Sequence, residues 1–273
     1  MSSNMKYSVI TASVGNLGDR FNLDGYKSDI GLEEKLKRAE KIEGLEGIEL
    51  CYGPGTDEGD GKNVRKLLDT YGLEGPVVNA PVISEQIWRY GSLSSLDDSV
   101  RSKAVDAIKD TAAFASAAGA SMVNMWLGQD GFDYPFQTDY TKQWEHLVDS
   151  CRQIADYNKI MKFSLEFKPR EPRNRALLNN VSTTLLMLKE IDRENFGLTI
   201  DNGHIIQNGE NMAQAVELAA RQGKLFNLHL NDNYAAWDDD MIVGSVHLME
   251  YLELFYVLHK IDYSGWCAID IFP

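Results

Sequence analysis

Short apolar runs alternate with longer amphipathic segments along the whole of this 273-residue chain, and no other feature restricts the fold as much. Eight runs read as strands. They are YSVITA (Tyr7–Ala12), GIELCY (Gly47–Tyr52), PVVNAP (Pro76–Pro81), MVNMWLG (Met122–Gly128), KFSLEFK (Lys162–Lys168), FGLTID (Phe196–Asp201), LFNLHLN (Leu225–Asn231) and WCAIDIF (Trp266–Phe272). Each is rich in Val, Ile, Leu or aromatics, is bounded by Gly or Pro, and is too short for a helix. Their near-continuous hydrophobicity suits parallel strands buried on both faces.

Seven helical patterns lie between them, at 31–43, 63–71, 99–118, 140–159, 181–192, 211–223 and 247–260. In the fourth, Trp144, Leu147, Val148, Cys151 and Ile154 recur at three- and four-residue spacings and share one face. Asn180 and Asn211 stand where helices should start, and Gly119 and Gly223 where they should stop. Strict alternation implies a parallel sheet with right-handed crossovers. Eight such units in 273 residues predict a single-domain (β/α)₈ TIM barrel over residues 1–273. The eighth strand reaches Phe272, so the helix that should follow it is missing. A partner subunit of a homo-oligomer is expected to cover that flank, or it stays partly open.

Composition narrows the function. The 41 acidic against 27 basic side chains leave a net charge of −14, and the basic residues are scattered. Nucleic-acid binding needs a basic surface that displaces counterions, so it is not expected. Cys51, Cys151 and Cys267 are too few and too far apart for a disulfide framework or a zinc knuckle, which points to a reducing, cytoplasmic setting. No run approaches the length of a membrane span, so no membrane partner is expected.

A barrel of this kind builds its active site at the C-terminal ends of its strands. Glu166 and Lys168 lie two apart late in the fifth run and point into the same mouth. Asp201 ends the sixth run with His204 three residues on, His229 lies in the seventh, and Asp270 lies between two isoleucines in the eighth. An ionised carboxylate inside an apolar strand is costly unless it is paired or on a metal. A Glu, two Asp and a His on four consecutive strands therefore point to a metal site. Their oxygen-rich donors favour Mg²⁺, Mn²⁺ or Co²⁺ and also admit Zn²⁺. In the WDDDM loop, Asp238 and Asp240 can chelate one ion together, whereas Asp239 between them is expected to face solvent.

The same residues carry a resemblance. LEFKPREPR (Leu165–Arg173), IDNGH (Ile200–His204), GKLFNLHLND (Gly223–Asp232), WDDDMIVGS (Trp237–Ser245), AIDIFP (Ala268–Pro273) and VNMWLGQDG (Val123–Gly131) resemble, in order, motifs of the xylose isomerase-like barrel enzymes. Xylose isomerase and L-rhamnose isomerase are the nearest types, and His229 is similar to the latter's ligand. The resemblance implies two divalent cations. Glu166, Asp201, His229 and Asp270 would hold one; His204, Asp238 and Asp240 would hold the other, with Asp201 as a bridge. It also implies aldose–ketose isomerisation of a monosaccharide by a hydride shift between C1 and C2. Lys168 would donate a hydrogen bond to O1, a water helped by Asp240 would move the O2 proton, and Trp126 would wall the sugar.

The chain departs from that pattern in places. Cys51 and Tyr52 stand where xylose isomerase has its ring-opening His. The family's sugar-lining Phe aligns with Leu93, with Trp88 or Tyr90 as substitutes. Two other functions fit the same residues: a metal-dependent ketose epimerase of the same superfamily, and a non-catalytic relative that binds sugar and metal. A metal endonuclease fits less well, given the acidity and the five histidines. His146, His247 and His259 lie on helical patterns and read as structural or surface groups, and Arg170, Arg173 and Arg175 read as supports of the loop after the fifth strand.

Overall fold

The computed structural model describes residues 5–18, 22, 25–28, 30–53, 60–83 and 85–272. Eight parallel strands close into a barrel: β1 (Lys6–Ile10), β2 (Gly47–Cys51), β3 (Val77–Asn79), β4 (Met122–Trp126), β6 (Lys162–Glu166), β8 (Phe196–Asp201), β9 (Leu225–Leu230) and β10 (Trp266–Ile269). They pair in chain order, and β10 returns to β1 with Lys6 opposite Trp266 and Val9 opposite Ile269. The helices are α1 (Leu32–Ala39), α2 (Gly61–Tyr71), α3 (Asp98–Ala118), α4 (Tyr140–Tyr157), α5 (Val181–Ile191), α6 (Asn202–Gln207), α7 (Met212–Arg221) and α8 (Leu248–Lys260). Among the described residues no helix follows β10.

Side-chain alternation divides each strand between two environments. Ile48 and Leu50 of β2, Phe163 and Leu165 of β6, and Leu198 and Ile200 of β8 are wholly buried and belong to the apolar core shared with the helices. Their sequence neighbours form a hydrogen-bonded polar network. Ser164 Oγ donates to Asn124 Oδ1 at 2.9 Å, Thr199 Oγ1 donates to Ser164 Oγ at 2.8 Å, and Asn124 Nδ2 donates to Asn79 Oδ1 at 2.9 Å. Aliphatic layers commonly fill such barrels. Here the polar groups satisfy one another, which offsets the cost of burying them.

Local chemistry sets the helix ends. Asn180 accepts from Thr183 N at 2.7 Å, Asn211 from Gln214 N at 2.8 Å, and Asp97 from Ser99 N at 2.8 Å. Gly119 closes α3 in the left-handed conformation at φ 82°. Two features lie beyond the strand–helix rhythm. A short turn of helix, Thr11–Val14, replaces the end of the first predicted strand, because β1 pairs with its neighbours only as far as Ile10. A two-stranded antiparallel ribbon, β5 (Gly131–Phe132) with β7 (Arg175–Ala176), ties the loop after β4 to the loop after β6. A Cβ at Gly131 would lie 2.2 Å from the Arg175 carbonyl oxygen, so only glycine fits this approach.

Candidate functional site

A cavity of about 300 Å³ opens at the C-terminal ends of the strands. Ile10, Ala12, Cys51, Ile83 and Phe272 form an apolar side, and Trp126, Glu166, Lys168, His204, His229, Asp238, Asp240 and Asp270 face it. Glu166 ends β6 and Asp201 ends β8 opposite His229 of β9. Asp270 follows β10, positioned by its backbone N–H to the Leu230 carbonyl at 3.1 Å. Ligand atoms of Glu166, Asp201, His229 and Asp270 lie within 4.8 Å of one another, as do those of Asp201, His204 and Asp238. Asp201 belongs to both groups.

Backbone geometry supports this convergence. Asp201 caps α6 by accepting from His204 N at 3.0 Å, so one carboxylate both starts the helix and faces the cluster. Both its oxygens also accept from Asn231 Nδ2, at 3.2 and 3.0 Å. Asn231 is held in turn by its carbonyl, which accepts from the Tyr251 hydroxyl. The loop carrying Asp238 and Asp240 is closed by Asp232 and Met241, whose backbones exchange hydrogen bonds at 2.9 and 2.8 Å. Asp232 clamps the end of that loop by accepting from Val246 N, His247 N and His247 Nδ1. Asp240 lines the cavity with a left-handed backbone, φ 48°, and stands outside both tight groups.

Lys168 reaches across the mouth. Its Nζ lies 2.8 Å from Asp238 Oδ2, 3.5 Å from Glu171 Oε2 and 5.2 Å from the centre of the Trp126 ring. Asp238 Oδ2 also meets His204 Nε2 at 3.0 Å. Burial works against the Lys168 charge, but Asp238, Asp240 and Glu171 outweigh it and raise the affinity for its proton. The group is an ammonium donor and not a base.

The carboxylates cannot all be charged at no cost. Burial, with the repulsion of Asp238, Asp270 and Asp201, pushes Asp240 up to about 10. Burial, with Asp238, Glu166 and Asp270, pushes Asp201 up to about 7 against the pull of His204. Asp270 is raised too, chiefly by burial. Burial also opposes ionisation of Glu166, but His229 and His204 outweigh it and hold the group below its usual range. Asp238 is likewise held low by His204 and Lys168. Burial disfavours the His204 cation, yet Asp201 and Asp238 raise it to about 9; Glu166 and Glu49 raise His229 well above its ordinary value. Such a cluster demands positive charge, whether as protons or as cations.

Its unpaired atoms fit divalent cations. His204 Nδ1, His229 Nδ1 and Asp238 Oδ1 are buried and have no hydrogen-bond partner, although carboxylates surround both nitrogens. A buried polar atom without a partner is costly, and a cation would satisfy these three with a mixed oxygen and nitrogen shell.

Residues 36–273 match the family model described as xylose isomerase-like TIM barrel. The chain belongs to that family. It is 30% identical over 210 residues to a xylose isomerase of Thermus thermophilus, a match that covers 75% of this chain and 54% of that protein. The chain therefore spans about half the length of the curated relatives it matches. Among solved structures it resembles a D-tagatose 3-epimerase-like protein, with TM-score 0.75, 22% identity, and coverage of 98% of this chain and 91% of the other. It also resembles the IOLI protein with a bound zinc atom, with TM-score 0.74, 17% identity, and coverage of 98% and 89%. These two likenesses concern the fold. No helix among the described residues of this xylose isomerase-like chain is long and apolar enough to cross a membrane.

Several predicted site residues are placed differently from the sequence reading. Trp88 does not line the cavity: its ring is buried and its indole N–H donates to the Pro81 carbonyl at 3.2 Å. The short helical turn Gln86–Trp88 directs the ring inward, and Ile83 takes the lining position. Leu93 is wholly buried and Tyr90 is exposed, so neither replaces it. Asp239 is half-buried and accepts from Tyr234 N at 3.2 Å, where solvent exposure was expected. Arg170 donates to the carbonyls of Gln207, Ala235 and Ala236, and Arg173 to the Gln129 carbonyl and Asp133, as loop supports do.

The sequence reading missed Glu49. It lies in the middle of β2, wholly buried, with Oε2 3.1 Å from His229 Nε2. The signal was present, since Glu49 interrupts the apolar run GIELC as Glu166 interrupts KFSLEF.

Proposed function

We propose that this chain is a divalent-metal-dependent aldose–ketose isomerase that acts on a monosaccharide by a hydride shift between C1 and C2. The single observation that carries this reading is the pair of acidic–histidine groups sharing Asp201 at the floor of a cavity bordered by Lys168 and Trp126. Glu166, Asp201, His229 and Asp270 would hold one cation; Asp201, His204, Asp238 and Asp240 would hold the other. Mn²⁺, Mg²⁺ and Co²⁺ suit this donor set, and Zn²⁺ is admitted. Divalent cations there supply Lewis-acid polarisation of the sugar carbonyl and stabilisation of migrating negative charge.

The protein's own groups do the rest. Lys168, kept protonated by Asp238, Asp240 and Glu171, donates a hydrogen bond to the sugar's O1. Asp240, which faces the cavity, would help position the water that moves the O2 proton. Trp126 presents its ring beside Lys168 and keeps water from the carbons that exchange hydrogen. A homo-oligomer is part of the same reading, supported by the exposed apolar residues Leu248, Leu252 and Tyr256 spaced by four along α8, and light scattering tests it.

The deciding experiment incubates the protein with Mn²⁺, Mg²⁺ or Co²⁺ and a panel of aldoses and ketoses, with products read by chromatography. A C2-deuterated aldose should give the ketose with its label retained at C1. A ketose that takes up solvent deuterium at an inverted carbon, with the labelled aldose left unconverted, would instead identify a ketose epimerase. Bound metal and sugar with no product under any condition would identify a non-catalytic relative.

A further inference from the structure

We infer that Glu49 is a positioning residue. It fixes Nδ1 as the coordinating nitrogen of His229 and thereby makes the first cation site prefer Mn²⁺, Co²⁺ and Zn²⁺ over Mg²⁺. The inference rests on the metal-centre reading above and concerns a residue of β2, which β1 and β10 separate from β9.

The imidazole of His229 could turn either nitrogen toward the carboxylates, and the structure distinguishes them. Nε2 lies 3.1 Å from Glu49 Oε2. Nδ1 lies 3.4 Å from Asp270 Oδ2, 3.5 Å from Glu166 Oε2 and 3.9 Å from Asp201 Oδ2, and has no hydrogen-bond partner. A carboxylate offers only lone pairs, so the contact with Glu49 requires the proton on Nε2. In the neutral ring that leaves the Nδ1 lone pair aimed at the three carboxylates.

Glu49 is itself immobilised. It is wholly buried, its Oε1 accepts from Asn227 Nδ2 at 2.9 Å, and its Oε2 meets Asn79 Nδ2 at 3.5 Å. Asn79 is tied in turn to Asn124, which donates to the ligand Glu166 at 2.6 Å. Glu49 stands behind the imidazole and outside both groups of converging ligand atoms, so it is not a ligand. A carboxylate hydrogen-bonded to the far nitrogen of a ligating histidine fixes its tautomer and makes the near nitrogen a stronger donor. Mg²⁺ gains little from a nitrogen donor, whereas Mn²⁺, Co²⁺ and Zn²⁺ gain considerably. Glu49 thus tunes which cation the first site prefers.

Two measurements test this. Chelator-stripped protein is titrated with Co²⁺ by visible absorption and calorimetry, and with Mg²⁺ by calorimetry. Glu49→Gln, which keeps the volume and removes the charge, should weaken Co²⁺ at the first site about 10- to 100-fold and shift its absorption bands. Its Mg²⁺ affinity should change less than about threefold. Equal losses for both metals, or no loss, would overturn the inference. The second measurement uses the unmutated protein and so is independent of how the variant folds. With ¹⁵N-labelled histidine and bound Zn²⁺, the His229 resonances should show a protonated Nε2 and a metal-bound Nδ1; the reverse assignment overturns the inference. If the unmutated protein binds no Co²⁺, the metal-centre reading itself falls. If it binds Co²⁺ and Glu49→Gln binds it equally well, only the role of Glu49 falls.

Discussion

Asp201→Asn should stabilise the protein in chelator and remove most of the stabilisation that divalent cations give. Asp201 is 1% exposed and its proton affinity rises from the ordinary 3.8 to about 7. Because a carboxyl is raised here, its ionised form is the one that folding disfavours. The penalty is absent below pH 3.8, grows as pH rises toward 7, and is complete above it. At about 1.4 kcal/mol per pH unit of difference, the penalty reaches about 4 kcal/mol at pH 8. Asparagine removes the charge and keeps an oxygen able to cap His204 N, but its amide group then opposes Asn231 Nδ2, now 3.0 Å from Asp201. Loss of that hydrogen bond costs about 1–2 kcal/mol. The variant in chelator should therefore gain about 2–3 kcal/mol at pH 8, or about 4–6 °C in Tm for a chain of this size. At pH 5 little or no gain should remain. Mn²⁺ at a hundredfold excess over Kd should stabilise the unmutated protein by about 2.7 kcal/mol per site. The variant, deprived of the ligand common to both groups, should gain less than about 1 kcal/mol under the same conditions. Scanning calorimetry at pH 5 and pH 8, with chelator or Mn²⁺, reads all of these values. A variant less stable than the unmutated protein in chelator at pH 8 would refute the electrostatic argument, and one that gains equally from Mn²⁺ would refute Asp201 as the shared ligand.

Three further substitutions probe the supports of the site. Gly203→Ala would put a Cβ 1.9 Å from Asn231 Oδ1 and 2.9 Å from Asp238 Oδ1, so it should cost about 1–3 kcal/mol in denaturant unfolding and weaken Co²⁺ binding. Trp126→Ala removes the ring beside Lys168; KM for the sugar identified by the panel should rise about tenfold, while Tm stays within a few degrees. Asp130 is buried and accepts from the backbone N–H and the hydroxyl of both Ser92 and Ser94. Asp130→Asn turns an amide donor against two of these groups, and urea unfolding should show a loss of about 2–4 kcal/mol.

Much of the barrel was legible in the sequence, because parallel strands buried on both faces leave continuous apolar runs and caps leave local signatures. The strand Phe196–Asp201 coincides with its predicted limits, and Asn180 and Asn211 cap the helices they were expected to start. Elements of low periodicity escaped. The six residues of α6 are too few to display a period, and the β5–β7 ribbon pairs two residues with two others far along the chain. Trp88 was misplaced because nearness to the third strand in sequence does not tell whether a ring turns toward the cavity or into the core. Glu49 was passed over because its partner His229 lies 180 residues away, and only closure of the barrel joins them.

The sequence by itself determined the repeating strand–helix unit, the family, and which acidic and histidine side chains would stand at strand ends. The unit and the strand-end residues follow from hydrophobic period and residue chemistry, which are local properties of the chain, and the family follows from the likeness of its motifs. The tertiary structure alone decided which nitrogen of His229 faces the carboxylates, how close the ligand atoms of the two groups lie, and how Asn79, Asn124, Ser164 and Thr199 satisfy one another across strands. Proton affinities and ligand geometry depend on distances of a few ångströms between residues on different strands, and those distances exist only once the barrel is closed.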